Sequence, residues 1–114
     1  MKDYWPTPQG KAKAPWIIAV DLDGTLCKSI SPDKYAEAKP IQENIDKSNR
    51  LAEMGHRIFI YTSRSWATYD LTENWLKRHG VKYEALMMGK LLGHMYIDDH
   101  NYTFEGAIDR LKED

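Results

Sequence analysis

The run Trp16-Ile17-Ile18-Ala19-Val20, followed at once by Asp21-Leu22-Asp23-Gly24-Thr25-Leu26, constrains this chain more than any other stretch. The first five residues are apolar and partly β-branched, which predicts a buried strand. Two carboxylates then stand two residues apart at the strand's end, where burying even one ionised group is costly unless a metal or an opposite charge compensates it. Gly24 comes next, so the backbone there must turn sharply or let a ligand come close. An Asp-Gly pair alone is an ordinary turn signal. The preceding strand and a second acidic pair far downstream, Asp98-Asp99, make a magnesium and phosphate site with one aspartate as nucleophile the simplest reading.

The rest of the chain supplies the frame for such a site. A polar stretch runs from Lys28 to Lys39, and Pro40 suits the first turn of a helix, where a missing N–H costs nothing. That helix is expected to reach about Met54 and stop at Gly55, with a thin apolar stripe of Ile41, Ile45, Leu51, Ala52 and Met54. A second strand follows over Arg57–Tyr61, then a polar loop Thr62-Ser63-Arg64-Ser65 in which Ser65 can cap the next helix. Leu71, Trp75 and Leu76 are expected to form that helix's inner face, and it closes on Lys77, Arg78, His79 and Gly80, basic residues and a glycine where a helix C-terminus favours them. A third strand is expected from Tyr83 to Met88 and a short fourth one at Met95-Tyr96-Ile97. Phe104, Ala107, Ile108 and Leu111 then recur with the spacing of an amphipathic final helix.

Strands and helices alternate, which predicts an α/β fold of three layers, α/β/α and Rossmann-like, with a mainly parallel sheet. The connection from Met88 to Met95 is too short for a helical crossover, so the order of the last strands is left open. Residues 1–15, with Pro6, Pro8, Gly10, Pro15 and three lysines, read as an arm without regular structure. Residues 16–114 read as a single domain.

The formal net charge of −1 gives the whole molecule no field that would draw nucleic acid or an anionic membrane. The single cysteine, Cys27, cannot form an intrachain disulfide, and a reducing cytoplasm is the expected compartment. No apolar run approaches the roughly 20 residues needed to span a bilayer, and the N-terminus lacks an apolar core of signal-peptide type. No membrane partner is expected.

In an open parallel sheet, ligands bind beyond the C-terminal ends of the strands. Strand one is followed by Asp21 and Asp23, strand two by Thr62, Ser63 and Arg64, strand three by Lys90, and strand four by Asp98 and Asp99. Carboxylates suit Mg²⁺, and a metal with cations offsets the charge of a phosphate and of the acids beside it. Cys27, with no positioned base evident, reads as a packed thiol. His56 and His79 read as structural, His94 and His100 flank the last strand, with His100 expected either at the surface or reaching the site, and the four histidines lack the clustering of a zinc site. Arg64 is expected either to contact substrate or to pair with a surface acid. Trp66 and Tyr69 are candidates to line a substrate pocket.

This set resembles the haloacid-dehalogenase-like phosphatase superfamily, which has D-x-D-x-T-L/V after strand one, a Thr or Ser after strand two, a Lys before the last acidic motif and paired acids after strand four. The resemblance covers residues 16 to about 105. It implies that Asp21 attacks phosphorus and forms an aspartyl-phosphate, and that Asp23 protonates the leaving oxygen and then activates water. It also implies that Thr62 hydrogen-bonds the phosphoryl group and Lys90 neutralises it. Mg²⁺ would be held by Asp21, the backbone carbonyl of Asp23, and Asp98 with Asp99. Gly24, Thr25, Ser63 and Arg64 complete the expected substrate-binding set. One departure is Ile97, where the family often has Gly or Ser before the last acidic pair.

The intervals between these motifs leave no room for a cap domain, so the site is expected to be open unless a second copy of the chain covers it. The chain looks most like a small capless branch around capsule and polysaccharide biosynthesis, which implies a sugar phosphate or related small phosphorylated substrate. Capless enzymes that remove 3′-phosphates from polynucleotide ends share the core. The near-neutral charge argues mildly against that alternative, and Lys11, Lys13, Lys28, Lys34 and Lys39 leave it open. A phospho-accepting receiver module uses similar residue types, but its acidic pair follows the first strand and its phosphorylated Asp the third. Here strand three ends in Met87-Met88-Gly89.

Overall fold

Ile58 and Ile60 alternate with Arg57, Phe59 and Tyr61, and this period of two makes a strand with one fully inward face. It becomes the centre of the sheet. The computed structural model describes residues 15–97 and 103–112. Residues 1–14 of the arm expected over 1–15, the acidic pair Asp98-Asp99 and His100 lie outside the described residues. Strand β1 (Ile17–Val20), helix α1 (Gln42–Glu53), strand β2 (Arg57–Tyr61), helix α2 (Tyr69–Arg78), strand β3 (Ala85–Met87) and helix α3 (Phe104–Lys112) follow one another, with 3-10 turns at Pro32–Glu37 and Trp66–Thr68. The three strands pair in parallel in the order β1-β2-β3, with Val20 beside Ile60 and Ile60 beside Leu86. Each strand thus leads through a helix to its neighbour, an α/β arrangement consistent with a Rossmann-like fold. Among the described residues, no helix is long and apolar enough to cross a membrane.

Parallel pairing sends all three strands in one direction, so the segments after Val20, Tyr61 and Met87 leave the sheet at the same edge. The core beneath that edge combines Ile58, Ile60 and Leu86 from the sheet, Ile45 from α1, Trp75 and Leu76 from α2, and Leu22 and Leu26 from the loop after β1. Burying an aromatic side chain of about 150–250 Å² contributes on the order of 4–6 kcal/mol before entropy is counted. Trp75 is therefore a principal anchor, and its indole N–H also donates to the Ala38 carbonyl at 2.8 Å.

Several elements depart from the sequence expectation. β1 is only half-buried, with Ile17 50% exposed, and it is paired on one side only among the described strands. Helix α1 begins at Gln42 rather than Pro40. The reason is that Lys39 and Ile41 are tied back to the loop after β1, with Lys28 N–H donating to Lys39 O at 2.9 Å and Ile41 N–H to Leu26 O at 2.8 Å. On α2 the inward face is Thr72, Trp75 and Leu76, while Leu71 is exposed. A spacing of i, i+3, i+4 fits one helix face better than the i, i+4, i+5 of the apolar set. Residues 95–97, expected as a fourth strand, lie outside the strands described. Ser65 does cap the turn that precedes α2, accepting from Ala67 N–H at 3.1 Å.

Candidate active site

The loop after β1 is built around one carbonyl. Leu22 O accepts from the backbone N–H groups of Thr25 (3.0 Å), Leu26 (2.8 Å) and Cys27 (3.2 Å), and Gly24 N–H donates to Cys27 O at 2.8 Å. Gly24 makes the turn with a φ of +82°, a conformation that other residues adopt only with strain. Leu22 and Leu26 are fully buried, so this turn is pinned to the core from both ends. The two aspartates that flank Leu22 then meet different surroundings. Asp21 is exposed, and its Oδ1 accepts from Leu22 N–H at 2.8 Å. Asp23 faces inward.

Asp23 meets Arg64 there. Arg64 Nε donates to Asp23 Oδ2 at 2.9 Å and Nη2 to Oδ1 at 2.8 Å, the two-pronged geometry a guanidinium makes best with a carboxylate. The Arg64 side chain is 1% exposed and that of Asp23 25%. A guanidinium so buried needs compensation on every side. It receives it from the carboxylate, from Thr72 Oγ1 at 3.1 Å, and from the Tyr35 ring, whose centroid lies 3.7 Å from the guanidinium carbon. A cation stacked on an aromatic ring away from water is stabilised by about 2 kcal/mol. Asp23 and Arg64 are 41 positions apart in the chain, so this pair locks the loop after β1 to the loop after β2.

Cys27 closes the back of this cluster, with Sγ 3.5 Å from Asp23 Oδ1 and 3.7 Å from Arg64 Nη2. Burial, reinforced by the Asp23 charge and only partly opposed by Arg64, pushes its thiol up to about 12. At neutral pH it is an inert, protonated packing group, as expected of a thiol without a base.

The other sequence-selected residues are joined to the same edge through the backbone. Thr62 is fully buried, and its Oγ1 accepts from Arg64 N–H at 3.2 Å, a local turn that fixes the start of the loop. Thr62 N–H donates to Met87 O at 2.9 Å, Lys90 N–H to Thr62 O at 2.9 Å, and Gly89 N–H to Arg64 O at 2.8 Å. These bonds continue the β2–β3 pairing past the strand ends and carry Lys90 up beside Thr62. The Lys90 ammonium lies 5.3 Å from the Tyr61 ring centroid. Ser63 is exposed on the same loop, and Thr25 is half-buried with its carbonyl accepting from Asn44 Nδ2 at 2.8 Å. Gly89, at a φ of +72°, has its Cα against the edge of Trp66: a Cβ there would come within 3.0 Å of the indole nitrogen. Trp66 itself is 58% exposed and stacks on Tyr69 with ring centroids 5.9 Å apart.

The structure therefore brings together Asp21, Asp23, Gly24, Thr62, Arg64 and Lys90 at one sheet edge. It gives Arg64 a partner that the sequence reading did not: neither a substrate nor a surface acid, but Asp23. Two participants went unnoticed in the sequence, Tyr35 and Thr72. The signal for Thr72 was its place in the i, i+3, i+4 register with Trp75 and Leu76; Tyr35 lies in a polar stretch with no periodicity to mark it. Among the described residues, no group of three or more His, Cys, Asp or Glu stands together as a metal would need. The exposed Asp21 carboxylate is a hard oxygen donor of the kind Mg²⁺ takes, whereas the Asp23 carboxylate is occupied by Arg64.

Comparison with known structures gives the same fold. The chain is similar to a crystal structure of an MCSG target from Vibrio cholerae, with 29% identity, a TM-score of 0.59, and coverage of 85% of this chain and 96% of that one. It is similar in fold to a chain in a structure of a Pnkp1/Rnl/Hen1 complex, with 18% identity and a TM-score of 0.61, where 96% of this chain spans 38% of the other. No family model matches the chain, and no curated protein matches it.

Proposed function

We propose that the protein is a phosphomonoester hydrolase of haloacid-dehalogenase-like type, in which Asp21 takes up the phosphoryl group. The observation that carries this reading is the contrast between two aspartates on one turn. Asp21 is exposed with its carboxylate oriented by a backbone N–H, and Asp23, two residues on, is held inside by a buried arginine. A carboxylate nucleophile needs no base to activate it. An Asp21 oxygen attacks phosphorus, the bond to the leaving oxygen breaks, and that oxygen receives a proton from Asp23. Water, giving its proton back to Asp23, then attacks the phosphorus of the aspartyl-phosphate and releases inorganic phosphate with Asp21 restored. Both oxygens of Asp23 rest on Arg64, so this role requires Asp23 first to take up a proton from water and to exchange one of those bonds for the leaving oxygen. Lys90 is suited to offset phosphoryl charge.

Mg²⁺ would be held by Asp21 and the backbone carbonyl of Asp23 together with Asp98 and Asp99, and when bound it would neutralise charge on the phosphoryl oxygens. The parallel edge is open among the described residues: between β1 and α1 the chain holds one 3-10 turn, and between β2 and β3 one such turn and α2. An edge without a cap suits a sugar phosphate or related metabolite, and equally the end of a larger phosphorylated molecule.

The test is hydrolysis of p-nitrophenyl phosphate with and without Mg²⁺, followed by a panel of sugar phosphates, nucleotides and 3′-phosphorylated oligonucleotides. Asp21→Asn is expected to abolish turnover and the trapped phosphoenzyme together. Full activity in excess chelator would remove the metal from the reading. A long-lived phospho-Asp21 without turnover would replace hydrolysis with signalling, and selective attack on the oligonucleotides would replace the metabolite as substrate.

A further inference from the structure

The Arg64 side chain is the most completely enclosed charge in the described part of the molecule, at 1% exposure, and its donors and one face of its guanidinium plane are engaged. Nε and Nη2 grip Asp23, Nη1 donates to Thr72, and the Tyr35 ring covers one face at 3.7 Å. Its backbone is fixed as well, by the Thr62 hydroxyl on its N–H and the Gly89 N–H on its carbonyl. Tyr35 is itself held: the segment it belongs to is tied to α2 by Trp75 through Ala38 O at 2.8 Å and by Arg78 through Ala36 O at 2.7 Å. An arginine with its donors and one face so engaged is poorly placed to grip a phosphate. It is well placed to hold a carboxylate at one point in space.

We propose that Arg64 is a positioning residue, acting through Asp23: the buried clamp made by Thr72 and Tyr35 fixes the guanidinium, and the guanidinium fixes the Asp23 carboxylate beside Asp21. This rests on the phosphatase reading for its consequence in catalysis, while the clamp itself can be tested without turnover. Lysine cannot replace Arg64, because a point charge offers neither the parallel pair of N–H donors nor the flat face that Tyr35 covers. Displacing a reacting group by about 1 Å costs on the order of 10²-fold in rate. The loss falls where Asp23 works. An ester with a poor leaving group depends on the proton it receives, whereas p-nitrophenolate leaves without one.

The experiment compares Arg64→Lys with wild type on p-nitrophenyl phosphate and on an alkyl phosphate. The expected result is a fall of about 10²-fold in the rate at which the phosphoenzyme forms from the alkyl ester, a smaller fall from the p-nitrophenyl ester, and substrate affinity unchanged within about twofold for both. Methylguanidinium added to Arg64→Ala is expected to restore part of the alkyl-ester rate. A loss of substrate affinity with the rate of phosphoenzyme formation unchanged would assign Arg64 to phosphate binding and overturn the proposal, as would an equal fall in that rate on both esters. Should Arg64→Lys not fold, Thr72→Val and Tyr35→Leu loosen the clamp from outside, and the same leaving-group pattern is expected. A wild-type protein inactive on every ester would overturn the phosphatase reading alone. The clamp is then judged by thermal melting of Asp23→Asn, Arg64→Lys and the double variant. The double variant is expected to melt no lower than the worse single one, and additive losses would overturn the clamp.

Discussion

The corner where β1 and β2 end and the described residues between Lys90 and Lys112 are built from equally clear sequence signals, yet they sit in very different surroundings. At the corner each charged inward group meets a partner: Asp23 has Arg64, Arg64 has Thr72 and Tyr35, and Leu22 and Leu26 are fully buried. At the other end, Leu91 and Leu92 are 71% and 74% exposed, and the α3 stripe is open at Phe104 (70%), Ile108 (52%) and Leu111 (60%). The 90s loop is closed mainly on itself, with the Tyr96 hydroxyl donating to Leu91 O and accepting from Gly93 N–H. Periodicity tells which side of a helix is apolar. It does not tell what covers that side, because burial is a property of the assembled neighbours and not of the stripe.

The largest effect expected from this contrast comes from truncating one apolar residue in each region. Trp75→Ala should cost about 3–5 kcal/mol of unfolding free energy, whereas Ile108→Ala should change it by less than about 0.5 kcal/mol, both read from urea denaturation; equal losses would erase the distinction. Next comes Asp23→Ala, which strands a buried guanidinium and should destabilise the fold by about 3 kcal/mol. A smaller figure would mean that water or a neighbouring group reaches Arg64 more easily than its 1% exposure suggests. Gly89→Ala places a Cβ at a φ of +72° and 3.0 Å from the Trp66 indole. It should cost about 1–2 kcal/mol and shift the tryptophan emission. The smallest effect is electrostatic. His79 packs against Trp75 at 4.3 Å between centroids, and burial, helped by Arg78, lowers its imidazole below the ordinary value of 6.5. Protonation then favours the unfolded chain, so this contribution is present above pH 6.5 and is lost as pH falls toward the folded value. His79→Gln should flatten the slope of thermal stability between about pH 7 and 5.

Much of the corner was legible in the sequence because its signals are local. A β-branched run ending in D-x-D-G specifies a strand, a turn and two carboxylates within one short segment, and Arg57–Tyr61 followed by Thr62 does the same for β2. Ser65 announced its cap, and the α/β alternation announced parallel pairing. What could not be read was pairing across distance. Nothing near Asp23 points to Arg64, and Tyr35 and Thr72 acquire their role only when α2 and the 3-10 turn are brought over the same cation. The inner face of α2 differs from its apolar pattern for a related reason: hydropathy selects Leu71, while helix geometry selects Thr72, whose hydroxyl is satisfied by Arg64. The start of α1 shifted because Pro40 and Ile41 are held by Cys27 and Leu26, contacts that no propensity contains.

The seat that Gly89 makes for Trp66 has an optical consequence. Trp75 is sealed in the interior and should emit much the same whether or not anything occupies the sheet edge, whereas the exposed Trp66 ring touches the turn that delivers Lys90. Its fluorescence is therefore a native gauge of events at that edge, readable by titration without attaching a dye.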